Sequence, residues 1–114
     1  MSINKELIKG CAKTIVLQLL ADKSAHGYEL LTILKEKTAG QLEFTEGTLY
    51  PLLHQLEQEN FVNSVWTRGQ GERKRKVYEI TSDGRKLLQI KSQELFAFID
   101  TMKNLIASRD SLFS

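Results

Sequence analysis

Apolar residues recur at helical spacing in four stretches of this chain, and β-branched and aromatic residues cluster in shorter stretches between them. From Asn4 to Ala21, Leu7, Ile8, Cys11, Ile15 and Leu19 form one stripe that Val16 and Leu20 widen, which predicts a first helix. Lys5, Lys9 and Lys13 recur every four residues on another face, a pattern that usually marks a solvated surface and less often a phosphate contact. Asp22 to Ala25 is turn-like, and Ser24 is placed to cap a second helix reaching about Lys37, with Tyr28, Leu30, Leu31, Ile33 and Leu34 as its apolar positions. Ala39-Gly40 breaks that pattern. Leu42-Glu43-Phe44 alternates and predicts a short strand. Thr45 to Asn60 predicts a third helix. Phe61 to Thr67 and Lys76 to Thr81 predict the two strands of a hairpin, with the glycine-containing basic segment RGQGERKR between them. A last helix starts at Thr81 or Ser82, either of which can cap it, with Asp83 favouring its N-terminal dipole.

The third helix carries candidate chemistry. Leu49, Leu52, Leu53 and Leu56 share one face. The opposite face collects Gly47, Tyr50, Pro51, His54 and Gln58, with Thr48 and Gln55 at its margin. It has no large aliphatic residue and offers hydroxyls, an imidazole and amides, groups that bond phosphates or base edges. Pro51 leaves the start of this helix open. With Thr45 as N-cap, Pro51 falls in the second turn and should bend the helix; with Thr48 as N-cap, it sits near the start, where a missing N–H costs little.

The last helix is too long for its own domain. At about 1.5 Å per residue, its run from Thr81 extends roughly 40 Å. Leu88, Leu95 and Met102 repeat at seven residues, as do Phe98 with Leu105 and Ile99 with Ile106. Such spacing predicts a partner helix, most simply from a second copy of the chain, unless the end folds back or lies along the first helix. Leu95, Phe96 and Phe98 either fill that interface, the simpler reading, or line a cavity in it.

Composition narrows the function. A 114-residue chain that is 41% hydrophobic suits one domain with a core of its own. The net charge of +2 says little until it is located. Arg68, Arg73, Lys74, Arg75 and Lys76 oppose only Glu72, so the stretch 68–76 is +4 and the remainder −2. A positive hairpin on a nearly neutral chain points to a polyanion. One cysteine excludes an internal disulfide and fits a reducing cytoplasm. No apolar run is long enough to span a bilayer, and the N-terminus lacks a signal peptide's apolar segment. Two histidines and one cysteine supply no ligand-spaced metal motif. No phosphate loop or nucleophile motif is present, so neither catalysis nor a cofactor is expected. His26 reads as a helix-start residue.

The order helix, helix, short strand, helix, hairpin, helix is that of a winged helix-turn-helix. The fold class expected is therefore mainly α with a small β-hairpin: a DNA-binding unit over residues 1–80 and a C-terminal dimerisation helix over 81–114, in one continuous structure. The segments HGYEL at 26–30, GTLYPLLHQLE at 47–57 and RKVYEITSDG at 75–84 closely resemble the PadR-like transcriptional regulators, with matching spacing over nearly the whole chain. The single helix after the wing resembles that family's short subfamily. The resemblance implies a homodimeric bacterial regulator, usually a repressor, on a pseudo-palindromic double-stranded operator, with small aromatic or drug-like effectors in some relatives. It places Thr48, Tyr50 and Pro51 on the family's DNA-facing motif, and Arg73, Lys74, Arg75 and Lys76 on its basic wing. Thr45, Gly47, His54, Gln55 and Arg68 complete the candidate interface. This chain departs from the family in two places. His54-Gln55 stands where a Lys or Arg is frequent, on a helix that also carries Glu46, Glu57 and Glu59; the sole tryptophan, Trp66, lies in the hairpin and not on the last helix. The rival reading is a winged-helix module that binds protein instead of DNA.

Overall fold

The computed structural model describes the backbone of residues 3–68 and 74–113, and side chains over 3–67 and 74–107. Its elements run α1 (Lys5–Gly10), α2 (Ala12–Asp22), β1 (Ala25–His26), α3 (Gly27–Lys37), α4 (Glu46–Gln58), β2 (Val62–Arg68), β3 (Lys74–Ile80) and α5 (Ser82–Phe113). The three strands form one antiparallel sheet in the order β1-β3-β2. This is a winged helix: α2, α3 and α4 pack around Leu17, Leu20, Leu30, Leu49, Leu53 and Leu56, and the sheet closes the core with Val62 and Tyr78.

Four local expectations are corrected. The first helix is two helices. Cys11 leaves the helical backbone at φ −108°, ψ 6°, and its N–H bonds to the Ile8 carbonyl at 3.0 Å. Glycine at position 10, a poor helix former, precedes the break. The break turns the buried stripe onto Ile8, Ala12 and Val16, leaving Leu7 66% exposed and Cys11 half-buried. Ser24 does not cap α3. His26 does: its Nδ1 accepts the Glu29 N–H at 3.2 Å while Glu29 Oε1 accepts the His26 N–H at 3.2 Å, a reciprocal capping box. Residues 42–44 form no strand. The Leu42 N–H bonds to Thr38 Oγ1 at 3.0 Å instead, and the third strand is Ala25–His26, paired with Tyr78 and Val77. Finally, Lys74 and Arg75 are not part of the hairpin tip but pair with Arg68 and Thr67 inside the ladder.

Two termini set the frame around α4. Asn60 adopts φ 66° and closes the helix in a Schellman turn, with Asn60 N–H on the Glu57 carbonyl (3.1 Å) and Phe61 N–H on the Leu56 carbonyl (2.9 Å). Thr81 caps α5: its Oγ1 accepts the Gly84 N–H at 2.9 Å and donates to the Asn60 carbonyl at 2.8 Å. Gly84 then lies directly on the Phe61 carbonyl, where any Cβ would collide. The TSDG segment thus fixes where α5 leaves the core.

Only the start of α5 belongs to that core. Leu87 and Leu88 pack against it. The helix continues for 32 residues in all, and the molecule measures 65 × 30 × 21 Å. A radius of gyration of 17.0 Å, against about 13 Å for a compact chain of this length, reflects that projecting helix.

Candidate nucleic-acid interface

Thr45 is the N-cap of α4. Its Oγ1 accepts the Thr48 N–H at 3.2 Å and lies 3.2 Å from Thr48 Oγ1. Pro51 therefore falls in the second turn. It has no N–H to give the Gly47 carbonyl four residues back, so that carbonyl lacks its ordinary helical donor. Leu49, Leu53 and Leu56 are fully buried and Leu52 half-buried. Gly47, Thr48, Tyr50, Pro51, His54, Gln55 and Gln58 are all exposed. His54 and Gln58 contact each other, Nε2 to Nε2, at 3.2 Å.

Tyr50 marks one margin of this surface. Its ring lies over Gly27, where a Cβ would stand 2.6 Å from Cε1. The glycine of HGY and the tyrosine of TLYP are thus a packing pair between α3 and α4. Around them a depression of ≈ 490 Å³ is lined by His26, Tyr28, Trp66, Lys74, Arg75, Lys76 and Tyr78. Tyr28 and Trp66 are each 65% exposed, so Tyr28 belongs to this surface and not to the core where its spacing predicted it.

The wing cations are not equivalent. Lys76 Nζ is 3.2 Å from Glu57 Oε1 of α4 and 5.5 Å from the Tyr78 ring centre. Ser64 of β2 donates a short hydrogen bond to the other oxygen of the same carboxylate. That hydrogen bond, aided by Lys76, holds the Glu57 carboxyl below its ordinary value against the opposing effect of partial burial. Glu57 is a latch between α4 and the wing, and Lys76 is already neutralised. Arg75 leans the other way, its Nη1 3.0 Å from His26 Nε2. The guanidinium has five N–H donors, and this contact takes up at most one of them. The others remain for an outside acceptor. Lys74 is exposed and makes no ion pair among the described residues. Arg73 and the Arg68 side chain lie outside the described residues.

The apparent acidity of α4 also changes. Glu59 pairs with Lys13 of α2 at 3.2 Å and Glu57 with Lys76, which leaves Glu46 as the helix carboxylate without an ion pair among the described residues. Sequence reasoning missed both partners because they lie 46 and 19 residues away.

On α5, Leu95, Phe98, Ile99, Met102, Leu105 and Ile106 fall within one third of the helix circumference. Phe98, Leu105 and Ile106 are 57–64% exposed. Leu88, on the same line, is half-buried against its own core. Leu95 and Phe98 line an open groove of ≈ 430 Å³ against Leu7, Gly10, Cys11 and Thr14; Phe96 does not line it. No group of residues able to hold a metal ion occurs among the described residues, and no helix there is long and apolar enough to cross a membrane.

The model of the transcriptional regulator PadR-like family matches residues 16–90. An uncharacterized protein of Lysinibacillus sphaericus is 29% identical over 86 residues, 75% of this chain and 79% of its own. A transcriptional regulator from Clostridium thermocellum superposes with a TM-score of 0.83 at 28% identity, over 90% of this chain and 96% of that one. A PadR family transcriptional regulator from Eggerthella lenta gives 0.80 at 30% identity, over 89% and 86%.

Proposed function

The chain belongs to the PadR-like transcriptional regulators, and from that premise we propose that it is a sequence-specific DNA-binding protein that acts as a homodimeric repressor. The observation that carries the reading is the exposed arc of α4. Its residues from Gly47 to Gln58 present hydroxyl, imidazole and amide groups on a rigid helix whose other face is locked into the core. Lys74 and Arg75 stand at its edge with donors to spare. A helix of this kind fits the major groove, while the wing holds the adjacent backbone. Thr48, Tyr50, Pro51, His54 and Gln55 face the bases or the nearby phosphates; Thr45 acts through the cap that orients Thr48. The wing supplies most of the affinity and α4 the sequence preference.

The apolar stripe from Leu95 to Ile106 serves as the dimer seam, which presents two copies of α4 to a pseudo-palindromic operator. The groove beside Leu95 and Phe98 is where a small apolar or aromatic effector would bind and release the repressor. Sequencing the genomic fragments that the protein retains tests the reading. The expected result is enrichment of inverted repeats upstream of genes. Retention of fragments without a shared motif would remove the claim of sequence specificity.

A further inference from the structure

We propose that Lys5 and Lys9 of α1 form a second arm of the DNA interface, holding the phosphate backbone on the side of α4 opposite the wing. The proposal rests on the DNA-binding reading above and extends it to residues whose spacing more usually marks a solvated face.

The geometry comes from the two margins of α4. At about 100° per residue, its exposed arc runs from Tyr50 through His54, Gly47, Gln58 and Pro51 to Gln55 and Thr48. The Tyr50 margin meets the wing depression. The Thr48 margin opens instead on a second depression, ≈ 390 Å³, lined by Lys5, Ile8, Lys9, Glu43, Thr45 and Thr48 among others. Ile8 anchors α1 in the core, and the two lysines, four residues apart, project together from the same helix face. They stand beside the margin that the wing does not reach. A helix lying in the major groove has a phosphate strand on each side, and the wing supplies cations on one side only.

The charge inventory leaves the same pair available. Lys13, Lys23, Lys35, Lys37 and Lys76 each have a carboxylate within 4.0 Å. Lys5 and Lys9 are exposed and have none among the described residues. Among those residues Lys74 and, on α5, Arg85, Lys86, Lys91 and Lys103 also have none, but Lys5 and Lys9 are the cations of this group that line the depression at Thr48. Glu43, the carboxylate in their own depression, is engaged by Lys35 at 3.4 Å. The described residues therefore leave two cations uncommitted at one edge of α4, just as Lys74 and Arg75 are left at the other.

The test compares salt dependence of binding to a random-sequence duplex for the wild type, K5Q/K9Q, the wing variant K74Q/R75Q, and a charge-matched control on α5, K86Q/K103Q. Each phosphate neutralised contributes about −0.9 to the slope of log affinity against log salt, so four lost contacts in a dimer would reduce its magnitude by up to roughly 3.6. The expected result is a flattened slope for K5Q/K9Q and for the wing variant, with the control unchanged. Unchanged sedimentation and thermal midpoint for K5Q/K9Q would confirm that the fold and assembly survive. K5Q/K9Q behaving like the control while the wing variant flattens overturns the proposal and leaves the DNA reading intact. Equal flattening by the α5 control also overturns it, since the effect would then be net charge alone. A wild type with no salt-sensitive DNA affinity overturns both.

Discussion

Replacing Glu57 by Gln should make the protein less stable and, at the same time, steepen the salt dependence of its DNA binding. The substitution keeps an oxygen that can accept from Ser64 and removes the charge that holds Lys76. The two side chains are 28% and 33% exposed, so solvent screens the pair. An exposed ion pair contributes about 0–1 kcal/mol, and a charge-assisted hydrogen bond in a drier site about 1.5–3 kcal/mol. This half-buried latch falls between, at roughly 1–2 kcal/mol. With about 4–8 °C in Tm per kcal/mol for a domain of this size, the loss is easily read by thermal unfolding. The pH dependence has a definite sign. The folded carboxyl titrates below its ordinary value, chiefly through the Ser64 bond, so its contribution is complete above the unfolded value and is lost as pH falls through the folded one. The gap in stability between wild type and E57Q should therefore be widest near neutrality and close on acidification below the ordinary glutamate range. Meanwhile each released Lys76 can neutralise a phosphate, adding up to roughly −1.8 to the slope for a dimer. A variant that melts like the wild type at neutral pH, with an unchanged slope, would show that Glu57 is not the latch between α4 and the wing.

Met102→Lys should dissociate the dimer, because a charge at the α5 seam would be desolvated without a partner; a wild type that sediments as a monomer at about tens of micromolar would contradict the seam itself. Gly84→Ala should cost about 1–3 kcal/mol in urea unfolding, since the added methyl meets the Phe61 carbonyl and stands 2.7 Å from Ile80 Cγ1; an unchanged midpoint would mean that α5 does not sit where described. Tyr50→Phe and Gln55→Ala should narrow the ratio of operator to random-DNA affinity while leaving the salt slope nearly unchanged, and a uniform loss on both DNAs would reassign them to backbone contacts.

Much of this fold is legible in the chain because its signals are local. The stripe at Leu49, Leu53 and Leu56 identifies both the buried face of α4 and, by opposition, the exposed arc. The family motifs acquire physical reasons in the structure: Gly27 makes room for the Tyr50 ring, and Gly84 for the Phe61 carbonyl. What was not legible depends on distant partners. Ala25 and His26 become a strand only because Tyr78 and Val77 lie beside them. Nothing in residues 42–44 shows that Thr38 will take the Leu42 amide. The break at Cys11 hides inside an apolar stripe that continues through it, since periodicity records which residues are apolar and not whether the backbone keeps turning. The net charge of the wing was readable, but not its distribution. Pairing within the ladder puts Lys74 and Lys76 on one face of the strand and Arg75 on the other, and a glutamate from another element neutralises one of them.

The placement of α4 in the major groove is tested most directly by methylation interference on an operator fragment recovered from the retained genomic DNA. Methylation at guanine N7 blocks the major groove, whereas methylation at adenine N3 blocks the minor groove. Interference at N7 positions in two half-sites, about 34 Å apart or a multiple of that, with little effect of N3 methylation within them, is the expected result. Interference confined to N3 positions, or none in either groove on DNA that the protein still binds tightly, would contradict it.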